Sequence, residues 1–339
     1  MAAQFGLDTY TVGWIAALVH ERAAATALLD QRHEPPEDFV KNRHDDNQYT
    51  WGSMGPHHVV IASLPLGEYG TNIAAAVAKS MLASLPSIRI GLMVGIGAGI
   101  PNIEKGYDIR LGDVVVCQPQ GQSGGVVQYD LVKATDGRLY PTGMLNMPPA
   151  ALRGALGKLR AEHELESSKV PQLLEEMLKR YPQMRKSTEA KPGYVHQGFK
   201  NDIYHVGPGP EDVQERESRD STDPEIHYGT VASGNMLVKD AAERNAILER
   251  LKGSENVICL EMEAAGLMNN FPCLVIRGIC DYADEHKNDK WQKYAAATAA
   301  AFAKELLSHV DASEVKSAAS LRELKDLVQE VSTATRLKL

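Results

Sequence analysis

The feature that most constrains the fold is an alternation of short apolar segments with alanine-rich helical segments between Tyr10 and about Val310. Short apolar runs bounded by turn residues predict strands that are covered on both faces. Strands that alternate with helices predict an α/β fold with a largely parallel sheet. The predicted strands cover residues 10–16, 57–64, 90–94, 111–117, 126–132, 228–232, 257–260 and 273–279, and predicted helices reach residue 29 and cover 73–85.

Two parts of the chain depart from this alternation. Residues 146–226 are rich in charged residues, serine and proline around one predicted helix at 149–162, which indicates a surface excursion inserted into the domain. Residues 311–339 are polar, with apolar residues every three or four positions, which predicts an amphipathic helix or a linker. We therefore expect one domain over 8–310, followed by this C-terminal segment.

The charge balance limits the partners that the chain can have. It carries 36 basic and 44 acidic residues, a net charge of −8, which argues against a nucleic-acid or membrane partner. No apolar stretch reaches the roughly 18 to 20 residues of a membrane helix, and there is no N-terminal signal pattern. The 4 cysteines lack metal-binding spacing. We expect buried free thiols, no metal site and a cytoplasmic protein.

Two acidic residues occupy places where a soluble protein normally has apolar residues. Glu263 and Asp281 each follow a predicted buried strand. Ligand crevices form at the carboxyl ends of parallel strands, and a carboxylate is costly to desolvate there unless it binds or transfers a proton. Alternatively, Glu263 stabilises the first turn of the next helix and Asp281 caps the helix that begins near Trp291. For either residue alone, both interpretations stand.

Two further features fall beyond strand ends. Glu21 lies at the start of the first predicted helix, where the helix dipole favours a carboxylate. The run 95–99, with glycine at every second position, predicts a tight turn whose N–H groups approach a ligand. It lacks the full spacing of a dinucleotide or P-loop motif. Because all four features follow predicted strands, we expect them to converge on one crevice.

Six segments, taken in this order, resemble the nucleoside phosphorylase superfamily: 12–21, 94–99, 111–116, 232–235, 260–264 and 277–281. Their spacing is most similar to the methylthioadenosine/S-adenosylhomocysteine nucleosidase branch. Segments 226–235 and 259–291 further resemble the N-terminal nucleosidase domain of fungal intracellular immune receptors. The resemblance implies a catalytic domain over 8–310, a three-layer αβα fold with a central mixed, partly barrel-like sheet plus a C-terminal helix, and a homo-oligomer, dimeric or higher.

The resemblance also implies a reaction, the hydrolysis of the N-glycosidic bond of ATP or of other adenine nucleotides or nucleosides. ATP would give adenine and ribose 5-triphosphate, and the implied role is an immune-type depletion of nucleotides. Asp281 would be the general acid at purine N7, Glu263 would bind the ribose hydroxyls, and Glu21 would activate the attacking water. The other implied substrate-binding residues near sugar and base are Met262, Gly97, Ala98, Gly99, Ser233, Asn235, Met236 and Leu237. No cofactor is implied, although Mg²⁺ could accompany the nucleotide.

The residues around the 5′ end of the substrate distinguish a methylthio nucleoside from ATP. By spacing, Trp291 resembles the aromatic residue that covers an apolar 5′ group in the bacterial enzymes. A basic cluster precedes it, which could bind a triphosphate or could form a solvated loop: His286, Lys287 and Lys290. The resemblance adds Tyr69, and from a neighbouring subunit Lys133 and Arg138.

Two other functions remain open at this point. A phosphorylase would use inorganic phosphate, but phosphorylases have an arginine near the position of Glu21 and a hydroxyl residue near that of Ile96. A carboxylate would repel phosphate and favours water as the nucleophile. A nucleotide-sensing or oligomerisation module would use the pocket for binding without turnover.

Overall fold

The computed structural model describes residues 5–207, 209, 211–252, 256–321 and 323. Its strands are β1 (Tyr10–Ala16), β2 (Gln31–His33), β3 (Thr50–Met54), β4 (His57–Ser63), β5 (Ile90–Gly99), β6 (Val114–Cys117), β7 (Val126–Gln128), β8 (Val132–Thr135), β9 (Arg138–Pro141), β10 (Ile226–Ser233), β11 (Val257–Glu261) and β12 (Cys273–Asp281). Its α-helices are α1 (Val19–Ala27), α2 (Thr71–Ser84), α3 (Ala150–His163), α4 (Val170–Arg180), α5 (Pro182–Arg185), α6 (Ala241–Arg250), α7 (Ala264–Leu267), α8 (Gln292–Leu307) and α9 (Ala312–Ser317).

The central sheet is mixed. Its strand order is β2-β3-β4-β1-β5-β12-β6-β10-β11, with β7 beside β10. The pairs β1–β4, β1–β5 and β5–β12 are parallel, whereas β6–β12 and β5–β11 are antiparallel. Because β5 pairs with both β12 and β11, the strands β5, β12, β6, β10 and β11 close into a strand ring. The partly barrel-like mixed sheet is thus confirmed. Among the described strands of this sheet, parallel pairs outnumber antiparallel pairs, which agrees with the expected parallel character.

The glycine run 95–99 belongs to β5 and is not the predicted tight turn. Its glycines provide space instead. A Cβ atom at Gly95 would lie 2.5 Å from a carboxylate oxygen of Glu21, and one at Gly97 would lie 2.6 Å from the sulfur of Cys259. Alternate residues of a strand face the same side, so these positions leave one face of β5 open to buried side chains. The end of β5 can therefore approach β11 and close the strand ring.

Residues 146–226 do not form the predicted surface excursion. The predicted helix 149–162 is present as α3, and both α3 and α4 bury apolar residues in the main core, including Leu159 and Leu174. The buried carboxylate of Glu305 on α8 accepts hydrogen bonds from Ser168 Oγ and Lys169 N, both at 2.7 Å. In the sequence, the apolar residues of α4 alternate with charged residues, which is the pattern of an amphipathic helix. The status of residues 146–226 as a family-specific insertion stays a prediction.

Smaller differences concern the ends of elements. The predicted strand 126–132 is divided into β7 and β8, and β8 pairs with β9 in a separate two-stranded sheet.

In the predicted C-terminal helix 311–339, α9 is short, Val315 and Leu321 are buried, and residues 324–339 lie outside the described residues. All four cysteines are buried free thiols, as predicted. No helix in the described ranges combines the length and apolar character needed to cross a membrane.

The close contact between β12 and α8 gives a test of the packing. A Cβ atom at Gly278 would lie 1.8 Å from the carbonyl oxygen of Ala295, which is backbone and cannot move aside cheaply. We expect Gly278→Ala to lower the free energy of unfolding by about 3 kcal/mol or more. Gly157→Ala, at an exposed position of α3 with no atom near the added methyl group, should raise it by about 0.5–1 kcal/mol. Denaturant unfolding followed by circular dichroism measures both; equal midpoints would contradict this packing.

Candidate active site

The three predicted acids Glu21, Glu263 and Asp281 line one cavity of about 230 Å³. They reach it from the ends of β1, β11 and β12, and β5 contributes the wall that joins them. The cavity is also lined by these predicted substrate-binding residues: Tyr69, Gly97, Ala98, Met236, Leu237, Met262 and Lys287. The structure thus brings together groups that lie up to 260 positions apart in the sequence.

Glu21 is held in place by backbone donors. It lies in the first turn of α1, and one of its oxygens accepts hydrogen bonds from Ala17 N at 2.6 Å and Leu18 N at 2.9 Å. The other oxygen accepts from Ile96 N at 2.8 Å. The side chain therefore bridges the β1–α1 connection and β5. Carboxylate oxygens have further lone pairs, so Glu21 can still accept a proton or hydrogen bond from a molecule in the cavity.

A buried arginine that the sequence analysis did not single out organises the same wall. Arg277 of β12 is completely buried and forms an ion pair with Glu261 and, at 3.3 Å, with Glu263. Its Nη1 also donates to the carbonyl oxygen of Ile96 at 3.2 Å. An arginine inside an otherwise apolar strand is as unusual as an acid at its end, and this was the signal available in the sequence.

Glu263 occupies the N-cap position of α7 without capping this helix through its side chain. The carboxylate of Glu261 accepts instead from Glu263 N and Ala264 N, each at 3.1 Å. Glu263 is left to face the cavity, where Gly70 N lies 3.4 Å from its Oε1.

The environment of Glu263 disfavours its charged form. Burial raises the pKa of this carboxyl to about 7, Arg277 opposes the rise, and the carboxylates of Glu261 and Glu21 add to it. A buried carboxylate is stabilised by hydrogen-bond donors. Adjacent hydroxyl groups of a ligand in the cavity would be such donors.

Asp281 is the last residue of β12, and its surroundings also exclude a capping role. Trp291 occupies the N-cap position of α8, whereas Asp281 accepts a hydrogen bond from Ala283 N at 2.9 Å. Ala283 adopts a φ of 54°, a left-handed conformation that is strained for an alanine. The other carboxylate oxygen of Asp281 lies 2.9 Å from the ammonium of Lys287 and accepts from the thiol of Cys280 at 3.0 Å.

Several predicted residues lie elsewhere. Trp291 is buried beneath the 146–226 segment, where its Nε1 donates to Asn201 O and its ring packs on His196, so it does not cover the cavity. His286 stacks on His205 at 3.7 Å. Neither His286 nor Lys290 is among the residues that line the cavity. His286 and Trp291 contact the 146–226 segment instead, so their predicted place at a 5′ group is not supported. The predicted role of Lys290 stays a prediction.

The remaining predicted residues do not line the cavity: three lie behind its wall and two lie in the exposed β8–β9 hairpin. Ser233 accepts a hydrogen bond from Ala265 N, and Asn235 connects Thr71 to Asp130, so both act behind the wall. A Cβ atom at Gly99 would lie 2.8 Å from Ile279, which places this glycine in the packing between β5 and β12. Lys133 and Arg138 are exposed in the β8–β9 hairpin and do not line this chain's cavity. Their contribution to a neighbouring subunit stays a prediction.

Several lining residues were not predicted as part of the site, among them Tyr129, Lys239, Asp289 and Gln292. The hydroxyl of Tyr129 donates to Met236 O at 3.0 Å, and its ring lies against Gly234. Tyr129 thus provides an aromatic side chain near Met236 and Leu237. Lys239 is exposed at the edge of the cavity.

One other cluster has the spacing of cation ligands. Within the described residues, ligand atoms of Asp113, Glu225 and His227 lie within 4.8 Å of one another. Arg219 already contacts both carboxylates, at 2.7 Å from Asp113 and 3.1 Å from Glu225, and His227 bonds to Asp113 at 2.9 Å. These contacts describe an ion-pair network that joins the 146–226 segment to β6 and β10.

Residues 187–311 match the family described as the Phosphorylase superfamily. A nucleotide-binding leucine-rich repeat (NLR)-like protein of Hyaloscypha variabilis is 46% identical over 316 residues, which cover 91% of this chain and 30% of that protein. Residues 187–311 thus belong to the phosphorylase superfamily. The predicted superfamily is confirmed, and this relative agrees with the predicted likeness to receptor proteins.

Two further similarities concern the nucleosidase branch of the phosphorylase superfamily. The ATP nucleosidase Cap17 of Escherichia coli is 35% identical over 90 residues, 25% of this chain and 17% of that protein. The crystal structure of a 5′-methylthioadenosine/S-adenosylhomocysteine nucleosidase from Neisseria meningitidis, in complex with methylthio-immucillin-A, matches with a TM-score of 0.54 at 17% identity, covering 88% of this chain and 98% of that one. The fold is therefore shared. The chain spans only 30% and 17% of the lengths of the two curated relatives.

The raised pKa of Glu263 predicts a pH-dependent stability. The pKa of this carboxyl is about 7 in the folded protein against an ordinary value of 4.5, so between these pH values the folded state holds a proton that the unfolded state has lost. The free energy of unfolding should fall as pH rises from about 4.5 through 7, by on the order of 2 kcal/mol from this group. Glu263→Gln should remove this part of the slope, whereas Glu189→Gln, on the exposed surface, should not. Urea unfolding at pH 5 and pH 8 measures it, and parallel curves for wild type and Glu263→Gln would refute it.

Proposed function

We propose that the chain is a purine nucleotide N-glycosidase that hydrolyses ATP to adenine and ribose 5-triphosphate. The observation that carries the proposal is the convergence of Glu21, Glu263 and Asp281 on one small cavity. Three desolvated carboxyl groups are costly to keep together without a chemical use. The ATP nucleosidase activity named for Cap17 and the inhibitor-bound nucleosidase of the same fold support this class of reaction.

The reaction breaks the bond between C1′ of the ribose and N9 of the purine, and the bonding electron pair goes to the purine. Asp281 donates a proton to N7, so that adenine leaves as a neutral base. The oxygen of a water molecule bonds to C1′, and Glu21 accepts the proton that this water loses. Asp281 and Glu21 return to their starting states by proton exchange with solvent. In total, one water molecule is consumed.

The other cavity residues have roles that fit this reaction. Glu263 would accept hydrogen bonds from the 2′ and 3′ hydroxyls, which are the donors that its buried carboxylate needs. Met262 would contact the sugar, and Met236, Leu237 and Tyr129 offer apolar surface for the base. As positive charge develops on the sugar in the transition state, the surrounding carboxylates stabilise it.

The negative charge of the cavity wall decides between water and phosphate as the nucleophile. Five carboxyl groups line the cavity, at Glu21, Glu261, Glu263, Asp281 and Asp289. Arg277, behind the wall, is already engaged by Glu261 and Glu263. Free phosphate would meet Glu21 at the position from which the nucleophile attacks, and the like charges would repel each other. This favours water over phosphate. The 5′-phosphates of ATP would instead meet Lys287 and Lys239.

The biological role that we propose is depletion of adenine nucleotides in an immune-type response. The NLR-like relative supports this role. We further propose that the protein is cytoplasmic and forms a homo-oligomer, in which Lys133 and Arg138 of one protomer approach the site of its partner. The substrate is a small molecule, with Mg²⁺ present only as its counter-ion.

The direct test is incubation of the protein with ATP in phosphate-free buffer and separation of the products by chromatography. We expect free adenine and ribose 5-triphosphate. Asp281→Asn should reduce the rate by about 10²–10⁴-fold, because it removes the general acid. Asp46→Asn, an exposed substitution of the same kind, should leave the rate unchanged. A wild-type protein that releases no adenine from ATP or adenosine would rule out the proposed function.

The same assay separates the alternatives. A phosphorylase would need inorganic phosphate and would release ribose 1-phosphate. A binding module would bind ATP and leave it intact. Hydrolysis without phosphate excludes both.

A further inference from the structure

The ion pair between Asp281 and Lys287 raises a chemical conflict in the proposed reaction. The ammonium of Lys287 lies 2.9 Å from the carboxylate of Asp281, and the two side chains are 17% and 3% exposed. Both line the cavity. A neighbouring positive charge disfavours protonation of a carboxylate. Asp281 must nevertheless carry a proton before it can give one to the purine.

The pair is strongly held and not shared with another cation. Burial disfavours the charge of Lys287, but the Asp281 carboxylate outweighs it and raises the pKa of the ammonium above its ordinary value. The other groups that face the pair are the thiol of Cys280 and the carboxylate of Asp289. Arg277 is already engaged by Glu261 and Glu263. Within the described residues, Lys287 is thus the cation that sets the charge next to Asp281.

Lys287 is also placed to change partners. Lys287 lies in the loop between β12 and α8, outside any helix or strand. Its backbone N–H donates a hydrogen bond to Asp284 O at 3.2 Å, which fixes the backbone of the loop at this residue. A lysine ammonium on a flexible four-carbon stem can rotate to a new acceptor without movement of the backbone. Polyphosphate oxygens are strong acceptors for an ammonium.

We propose that Lys287 is a substrate-operated latch, which holds Asp281 as an ion pair until the 5′-polyphosphate of a nucleotide draws the ammonium away. Asp281 can then take a proton from solvent and deliver it to purine N7. This inference rests on the proposed function and adds a determinant of specificity to it. Nucleosides, which lack the polyphosphate, leave the latch closed and are poor substrates.

The competition can be measured without turnover by calorimetric binding of inorganic tripolyphosphate. If Asp281 and the polyphosphate compete for Lys287, Asp281→Asn should tighten binding about tenfold, or roughly 1.4 kcal/mol. In the Lys287→Met background, the same change should have less than about a twofold effect, because the contested ammonium is gone. Equal tightening in both backgrounds, or no tripolyphosphate binding at all, would overturn the latch.

A kinetic test uses the two substrates that differ in the polyphosphate. Lys287→Met should lower kcat/KM for ATP by about tenfold or more, because the contact between the ammonium and the polyphosphate is lost. It should raise kcat/KM for adenosine, because Asp281 is no longer paired with a lysine and adenosine has no phosphate contact to lose. Lys179→Met, on the exposed face of α4, is the control. Equal losses on both substrates would indicate a structural role, and an unchanged adenosine rate would indicate a simple phosphate contact; either result overturns the latch. If wild type releases no adenine, the proposed function fails, and the binding cycle still decides whether the latch exists.

Discussion

The structure around the cavity depends on one buried guanidinium. Arg277 has no exposure to solvent, and a charge in that position is tolerated only when other charges and acceptors surround it. Glu261 and Glu263 provide the charges, Ile96 provides a carbonyl, and the glycine at 95 leaves the space that a side chain would fill. The same ion pair therefore fixes three strands of the strand ring relative to one another.

This arrangement explains why the cavity wall can hold several carboxylates at once. Arg277 offsets part of their mutual repulsion, and backbone N–H groups fix Glu21 and Glu261 from behind. Each acid then has a different environment: Glu21 is held by backbone, Glu263 is short of donors, and Asp281 is paired with a lysine. Separate environments allow chemically identical groups to take different roles in one reaction.

Much of the fold and the position of the three acids could be predicted from local sequence. Strands β1, β4 and β12 and helices α2 and α3 lie close to where their apolar patterns placed them, and the convergence of Glu21, Glu263 and Asp281 followed from their positions at strand ends. The failures have a common cause, which is that a distant partner decides the outcome. The local sequence of 95–99 predicts a turn, but its pairing with β11 makes it the end of a strand. The spacing of Trp291 predicts a place at the cavity, but Asn201 and His196 of the 146–226 segment hold it elsewhere. Lys287 was predicted either to bind a triphosphate or to lie in a solvated loop, whereas its pairing with Asp281 depends on the loop geometry after β12.

The closure of β5 against β11 has a consequence for the biosynthesis of the protein. A chain synthesised as far as β10 already contains Glu21 but neither Glu263 nor Asp281, and its strand ring has no β11 to close it. Contacts between residues so far apart in the chain form late, because the intervening segment must first be ordered. A ribosome-bound nascent chain therefore holds no competent pocket until nearly the whole domain has emerged. Under the proposed function, this order of assembly means that an incomplete chain would not hydrolyse its nucleotide substrate.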